Sequence, residues 1–169
     1  MSERSAALST FQFISDHARK TSEIRGKKVG FSAWKSFLYH LEFDDFSNLT
    51  LHELRDRFII YCDTLCQINA RKEALPFYQS LCIQFPEWKE ELDAAIKALD
   101  ACASYGAYVW SKGFTFDETG YEKFRDPSVR KILADAGHEA MHNDMKAVEQ
   151  FENILKKEKN LLTNRSKCE

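Results

Sequence analysis

Residues 58–86 read FIIYCDTLCQINARKEALPFYQSLCIQFP, and how this stretch is parsed decides the fold. Phe58, Tyr61, Cys62 and Leu65 recur at three- and four-residue spacing, so a helix over them carries one apolar stripe. Ala74, Tyr78 and Leu81 repeat that spacing further on. Between the two runs Asn69 suits a helix stop, because Asn tolerates the left-handed conformation of a C-cap. Pro86 cannot continue the helix it follows. The stretch therefore predicts two antiparallel helices joined by a short turn, with Ala74 as the small residue where their backbones cross.

Taken over 55–88, the pattern of Phe58, Tyr61, Cys62, Leu65, Asn69, Ala74, Tyr78, Leu81 and Pro86 resembles a single tetratricopeptide repeat, a helical hairpin of about 34 residues. The resemblance implies a helical protein that presents surfaces to partner proteins. It covers this segment alone: shifting the frame by one repeat length in either direction finds no second copy, and such arrays generally need about three. The same residues also satisfy any antiparallel helix pair in a bundle.

Outward from the hairpin the same periodicity continues. Leu8, Phe11, Ile14 and Ala18 mark a first helix over about 5–20, and Phe31, Trp34, Phe37, Leu38 and Leu41 a second over about 32–41. Thr50 and Glu53 form a capping-box pair that opens the third, to about Asn69. The fourth covers about 72–84. Pro86 opens a fifth, to about Tyr105, with Leu92, Ala95, Ile96, Leu99 and Ala103 on one face. Asp126-Pro127 reads as an N-cap and first-turn proline for a last, longest helix to about Leu161. Six glycines and three prolines in 169 residues fit long helices. The expectation is an all-α single domain over 1–169. It has about six helices in a bundle or short repeat-like array, with frayed ends at 1–4 and 163–169. Alternating aromatics around Ser111-Lys112-Gly113 also suit a small β-hairpin near 108–116.

Composition narrows the function classes. A net charge of −2 gives no global attraction to nucleic acid or to a membrane surface. No apolar run reaches the roughly 18 residues that span a bilayer, and the N-terminal stretch lacks an apolar signal core. The five cysteines, Cys62, Cys66, Cys82, Cys102 and Cys168, are odd in number and form no Cys-x-x-Cys pair. They read as reduced thiols, with Cys62 and Cys66 one turn apart in the core, and Cys168 in a polar tail. The expected location is intracellular, in the cytoplasm, where the Asn48-Leu49-Thr50 sequon stays unmodified.

His138-Glu139-Ala140-Met141-His142 resembles the HExxH motif of the zincin peptidases. That resemblance implies His138 and His142 as zinc ligands and Glu139 as the base that activates a water; a separate alternative is an adventitious surface zinc site of His138 and His142 with Asp135 or Glu149. Against this, the apolar side of the helix carries Val129, Ile132, Leu133, Ala136, Ala140, Ala147, Val148, Phe151, Ile154 and Leu155, and both histidines fall opposite it. Their neighbours there are Lys131, Asp135, Glu149 and Lys156, the marks of a solvated face. Glu139-x-x-His142 also resembles half of a di-iron bundle motif, yet no second copy exists. The expectation is a protein without cofactor and without enzymatic activity.

Two surfaces remain as binding candidates. The basic turn holds Arg19, Lys20, Arg25, Lys27 and Lys28, which suits an acidic partner better than nucleic acid, since the adjacent Phe31 and Trp34 fit a core stripe. The segment after the fifth helix holds Tyr108, Trp110, Phe114, Phe116, Tyr121 and Phe124, either a lid over the bundle or an anchor patch for another protein. The end of the last helix, FENILKKEKNLL, is a candidate for self-association. The leading expectation is a protein-binding helical domain: an adaptor, an assembly subunit or an inhibitor of another macromolecule.

Overall fold

The computed structural model describes residues 2–21, 23, 24 and 26–165, the side chain of Arg165 excepted. Its helices are α1 (Glu3–Arg19), α2 (Gly30–Phe43), α3 (Leu51–Asn69), α4 (Leu75–Gln84), α5 (Lys89–Ser111), α6 (Glu118–Arg125) and α7 (Pro127–Arg165). Short 3-10 turns at Ala70–Ala74 and Pro86–Trp88 join α3 to α4 and α4 to α5. The fold is all-α, as expected.

Helix starts are set by side chains that satisfy the first free backbone N–H groups. Ser2 accepts from Ser5 N at 3.2 Å at the start of α1. The Thr50–Glu53 capping box opens α3, with Glu53 Oε2 accepting from Thr50 N at 2.7 Å. Asp117 caps α6 through Gly120 N at 3.0 Å, and Asp126 accepts from Ser128 N at 2.8 Å at the head of α7.

α5 and α7 form the central antiparallel pair. Lys157 pairs with Glu91, and Trp88 Nε1 donates to Glu158 at 2.9 Å, while at the other end Tyr105 Oη donates to the Leu133 carbonyl at 2.9 Å. Around this axis lie two aromatic cores. One gathers Phe11 of α1, Tyr78 of α4, Trp88 and Phe151; the rings of Phe11 and Phe151 stack at 4.9 Å. The other gathers Trp34 and Leu38 of α2, Phe58 and Tyr61 of α3, Phe114 and Phe124.

Buried polar links tie the elements around the second core. The Arg130 guanidinium, 2% exposed, donates to the carbonyls of Leu41, Asp44, Phe124 and Arg125, so it satisfies the C-terminal ends of α2 and α6 together. Arg125 does the same for the loop after α2, donating to the carbonyls of Phe46, Ser47 and Leu49. Asp144 accepts from Trp34 Nε1 at 3.0 Å and from Arg71 Nε and Nη2 at 2.9 and 2.7 Å. Because Tyr105 gives its proton to Leu133, Tyr61 Oη, 2.9 Å away, donates to Tyr105.

Several local expectations come out differently. α3 does end at Asn69, but Asn69 stays right-handed (φ −62°, ψ −30°) and leads into the 3-10 turn in place of the expected left-handed cap. A close approach in this region is between Asn69 and Gly106 of α5, where an added Cβ would lie 2.1 Å from Asn69 Oδ1, while Ala74 is half-buried against the core that holds Leu81. α3 and α4 each pack on α5, and their apolar faces enter different cores, Leu65 one and Leu81 the other. The segment 55–88 thus lacks the face-to-face pairing that a repeat hairpin would need. No β-hairpin occurs at 108–116: α5 continues through Tyr108 and Trp110 to its end at Ser111, and Gly113, at a φ of +72°, follows the Lys112 cap as the left-handed residue beyond the helix. Phe114 and Phe116 follow in the loop, and Tyr121 and Phe124 lie on α6. Among the described residues, the sole β-pairing is the bridge between Ile24 and Lys27. Cys66 is exposed while Cys62 is buried.

Candidate docking cleft

α2 and α3 both pack on the second core, and one ring pair joins their side chains. Phe37 and Tyr61 stack at 5.5 Å with 12° between ring planes. Phe37 borders two compartments of an open cleft, and Tyr61 lines the larger of them. The larger, about 540 Å³, has Leu41, Phe46, Tyr61 and Phe124 among its lining, with Ile60, Arg57, His40, Lys27 and Lys28 around it. The smaller, about 360 Å³, lies between Trp34, Phe37, Ile68 and Arg71. Ala33 and Phe37 line both, so the two compartments adjoin there.

Charge is uneven along the cleft. The turn carrying Lys27 is held by reciprocal backbone bonds, Lys27 N to Ile24 O at 3.0 Å and Ile24 N to Lys27 O at 2.9 Å. Gly26 at φ +73° makes this tight reversal possible. Lys28 Nζ donates to Ser36 Oγ at 3.2 Å, which brings its charge to the α2 wall. Among the described residues, no carboxylate lies within 4.0 Å of the charged groups of Lys27, Lys28 or Arg57. Acidic groups at this end are Glu23 and Asp44, and Asp44 Oδ1 sits 3.0 Å from His40 Nδ1. At the far end Arg71 is committed to Asp144. The Tyr61 hydroxyl below the cleft is held protonated, because burial and then the neighbouring Tyr105 raise its pKa far above the ordinary phenol value.

The residues singled out from sequence distribute as follows. Lys27 and Lys28 line the cleft; Arg25 lies outside the described residues, as does Cys168. Phe114 and Phe124 are buried, with their rings against Phe58, so this part of the aromatic segment is a lid on the core. Tyr108, Trp110 and Tyr121 are half-buried against the same core. Phe116 is the exposed member, at 62%, with Trp110 beside it at 5.6 Å. His138, Glu139, His142 and Glu149 are all exposed on α7. His138 Nε2 is 3.9 Å from Glu42, and among the described residues no three His, Cys, Asp or Glu side chains assemble a metal-binding group. Beyond Ile154, the last core residue of α7, Leu161 and Leu162 border an open pocket of about 850 Å³ with Leu8 and Leu155.

Arg57, Ile60 and His40 are not marked as binding residues by the sequence, and Phe37 reads there as part of a core stripe. Two signals bear on them. The apolar stripe of the second helix is wider than one core contact needs, and Ile60 lies off the stripe of its own helix. No helix among the described residues is long and apolar enough to cross a membrane. Comparison with protein-family models, curated proteins and solved structures finds no match to this chain.

Proposed function

We propose that the chain is a non-enzymatic protein-binding helical domain, serving as an adaptor, assembly subunit or inhibitor, and that the α2–α3 cleft is its docking face. The observation that carries this reading is the cleft itself: an apolar, aromatic-floored channel whose wall residue Ile60 is 61% exposed. Exposed apolar surface inside a concave site is where binding free energy concentrates. The solvated setting of His138 and His142 supports a non-catalytic role for the HEAMH sequence. Free buried thiols at Cys62, Cys82 and Cys102 support a reducing, cytoplasmic location.

Photo-crosslinking in the source cells tests the proposal. A photoreactive residue at Ile60 is expected to yield one discrete protein adduct, whereas the same group at Ile83, 84% exposed on α4, yields none in common. Equal, diffuse labelling from both positions would refute a docking role for the cleft.

A further inference from the structure

We infer that the occupant of the cleft is an acidic amphipathic helix from another protein, a deduction that rests on the cleft being the docking face. Three features of the site lead to this class of ligand. First, length. α2 has 14 residues, so the channel beside it is about 20 Å long at 1.5 Å per residue. That accommodates a helix of roughly four turns. Second, the spacing of the compartments. The wall residues Ala33, Phe37 and His40 follow one another by a helical turn, and so do Arg57, Ile60 and Thr64 opposite. A helix laid between them places a large apolar residue in the smaller compartment, a small residue over the Phe37–Tyr61 pair, and a second large residue in the larger compartment. The pattern read from the ligand is large at i, small at i+3 or i+4, and large at i+7.

Third, charge. Lys27, Lys28 and Arg57 line the larger compartment against the two carboxylates of Glu23 and Asp44, the latter held by His40, so cations are in excess and a ligand carrying carboxylates beside its second large residue meets them. A basic ligand would meet the same three cations with repulsion. Competing classes fit less well. An extended strand would need an open sheet edge, and among the described residues the sole β-pairing is the Ile24–Lys27 bridge. A single-stranded nucleic acid would need open ring faces, whereas Phe37 and Tyr61 are stacked on each other.

The test is selection from a displayed library of stapled 16-residue helical peptides against the full chain, followed by titration of the enriched sequences. Expected are sequences with the large–small–large spacing and Asp or Glu at the flanking positions. Their affinity should fall about tenfold or more in the Lys27→Glu, Lys28→Glu, Arg57→Glu triple variant, and also between 50 and 200 mM salt. These three side chains are exposed, and an unchanged thermal midpoint verifies that the variant is folded. Enrichment of neutral or basic helices whose binding is still lost in Ile60→Asp would overturn the acidic assignment and leave the cleft standing as the docking face. Peptides that bind wild type and Ile60→Asp equally would overturn the docking face itself. A library that yields no binder would overturn the inference.

Discussion

Replacing Asp144 by Ala should be among the most damaging single changes to the fold. Its carboxylate joins three elements: Trp34 from α2, Arg71 from the turn after α3, and α7 itself. Removing one partner of a buried ion pair typically costs about 3–5 kcal/mol, because the other charge is left uncompensated. The Arg71 side chain retains 28% exposure and can turn partly toward water, which favours the lower end. The indole N–H of Trp34 loses its acceptor as well, adding about 1 kcal/mol. The expected loss is therefore about 3–4 kcal/mol. For a chain of 169 residues that corresponds to a fall in Tm of roughly 9–11 °C. Urea unfolding followed by tryptophan fluorescence measures it, and the cycle with Arg71→Met should return a coupling of about 2 kcal/mol. A loss below about 1 kcal/mol, or strict additivity of the two substitutions, would refute the reasoning.

Acid should weaken the protein in part through Glu152. Its carboxyl is held below the usual carboxylate range chiefly by the hydrogen bond from Arg19, with a further bond from Ser15. The stabilisation is complete above the unfolded-state pKa and is lost as pH falls through the lower folded-state value, so wild type should weaken from about pH 5 downward. Glu152→Gln should weaken less over that window in pH-dependent urea melts, and equal slopes would remove Glu152 from the account. In a Cys168→Ser background, a thiol reagent should label exposed Cys66 rapidly and the buried cysteines slowly. Burial pushes the thiols of Cys62 and Cys102 up to about 12, so rapid labelling of either would contradict the packing of the core. Purified, chelator-free protein should hold no stoichiometric zinc by elemental analysis. One zinc per chain, lost in His138→Ala, would instead revive the peptidase reading.

Helix positions were legible because the apolar residues repeat at helical spacing and the caps are local: Thr50 with Glu53, and Asp126 with Pro127, act within a few residues. What pairs with what was less legible. α3 stops at Asn69 as its position suggests, but the close approach of Asn69 to Gly106 is a contact between residues far apart in sequence. The run from Tyr108 to Phe116 alternates like a strand, but burial of Val109 and the stop at Gly113 keep its first half helical. Ile132 was assigned to the apolar side of the last helix and is 48% exposed, because it sits at the margin of that stripe. The cleft was hidden for the same reason. A stripe wide enough to face both a core and a groove reads, in sequence, as core alone; only the separation of α2 from α3 distinguishes Phe37 from Leu38.

The most direct measurement is the accessibility of the cleft inside the source cells. A cysteine placed at Ile60, and separately at Ile83, in a Cys66→Ser, Cys168→Ser background, is alkylated in intact cells and again in purified protein. The account predicts that position 60 is protected several-fold in cells and reactive once purified, while position 83 reacts equally in both. Equal reactivity of position 60 in cells and in isolation would mean that nothing docks in the cleft, and would contradict the central claim.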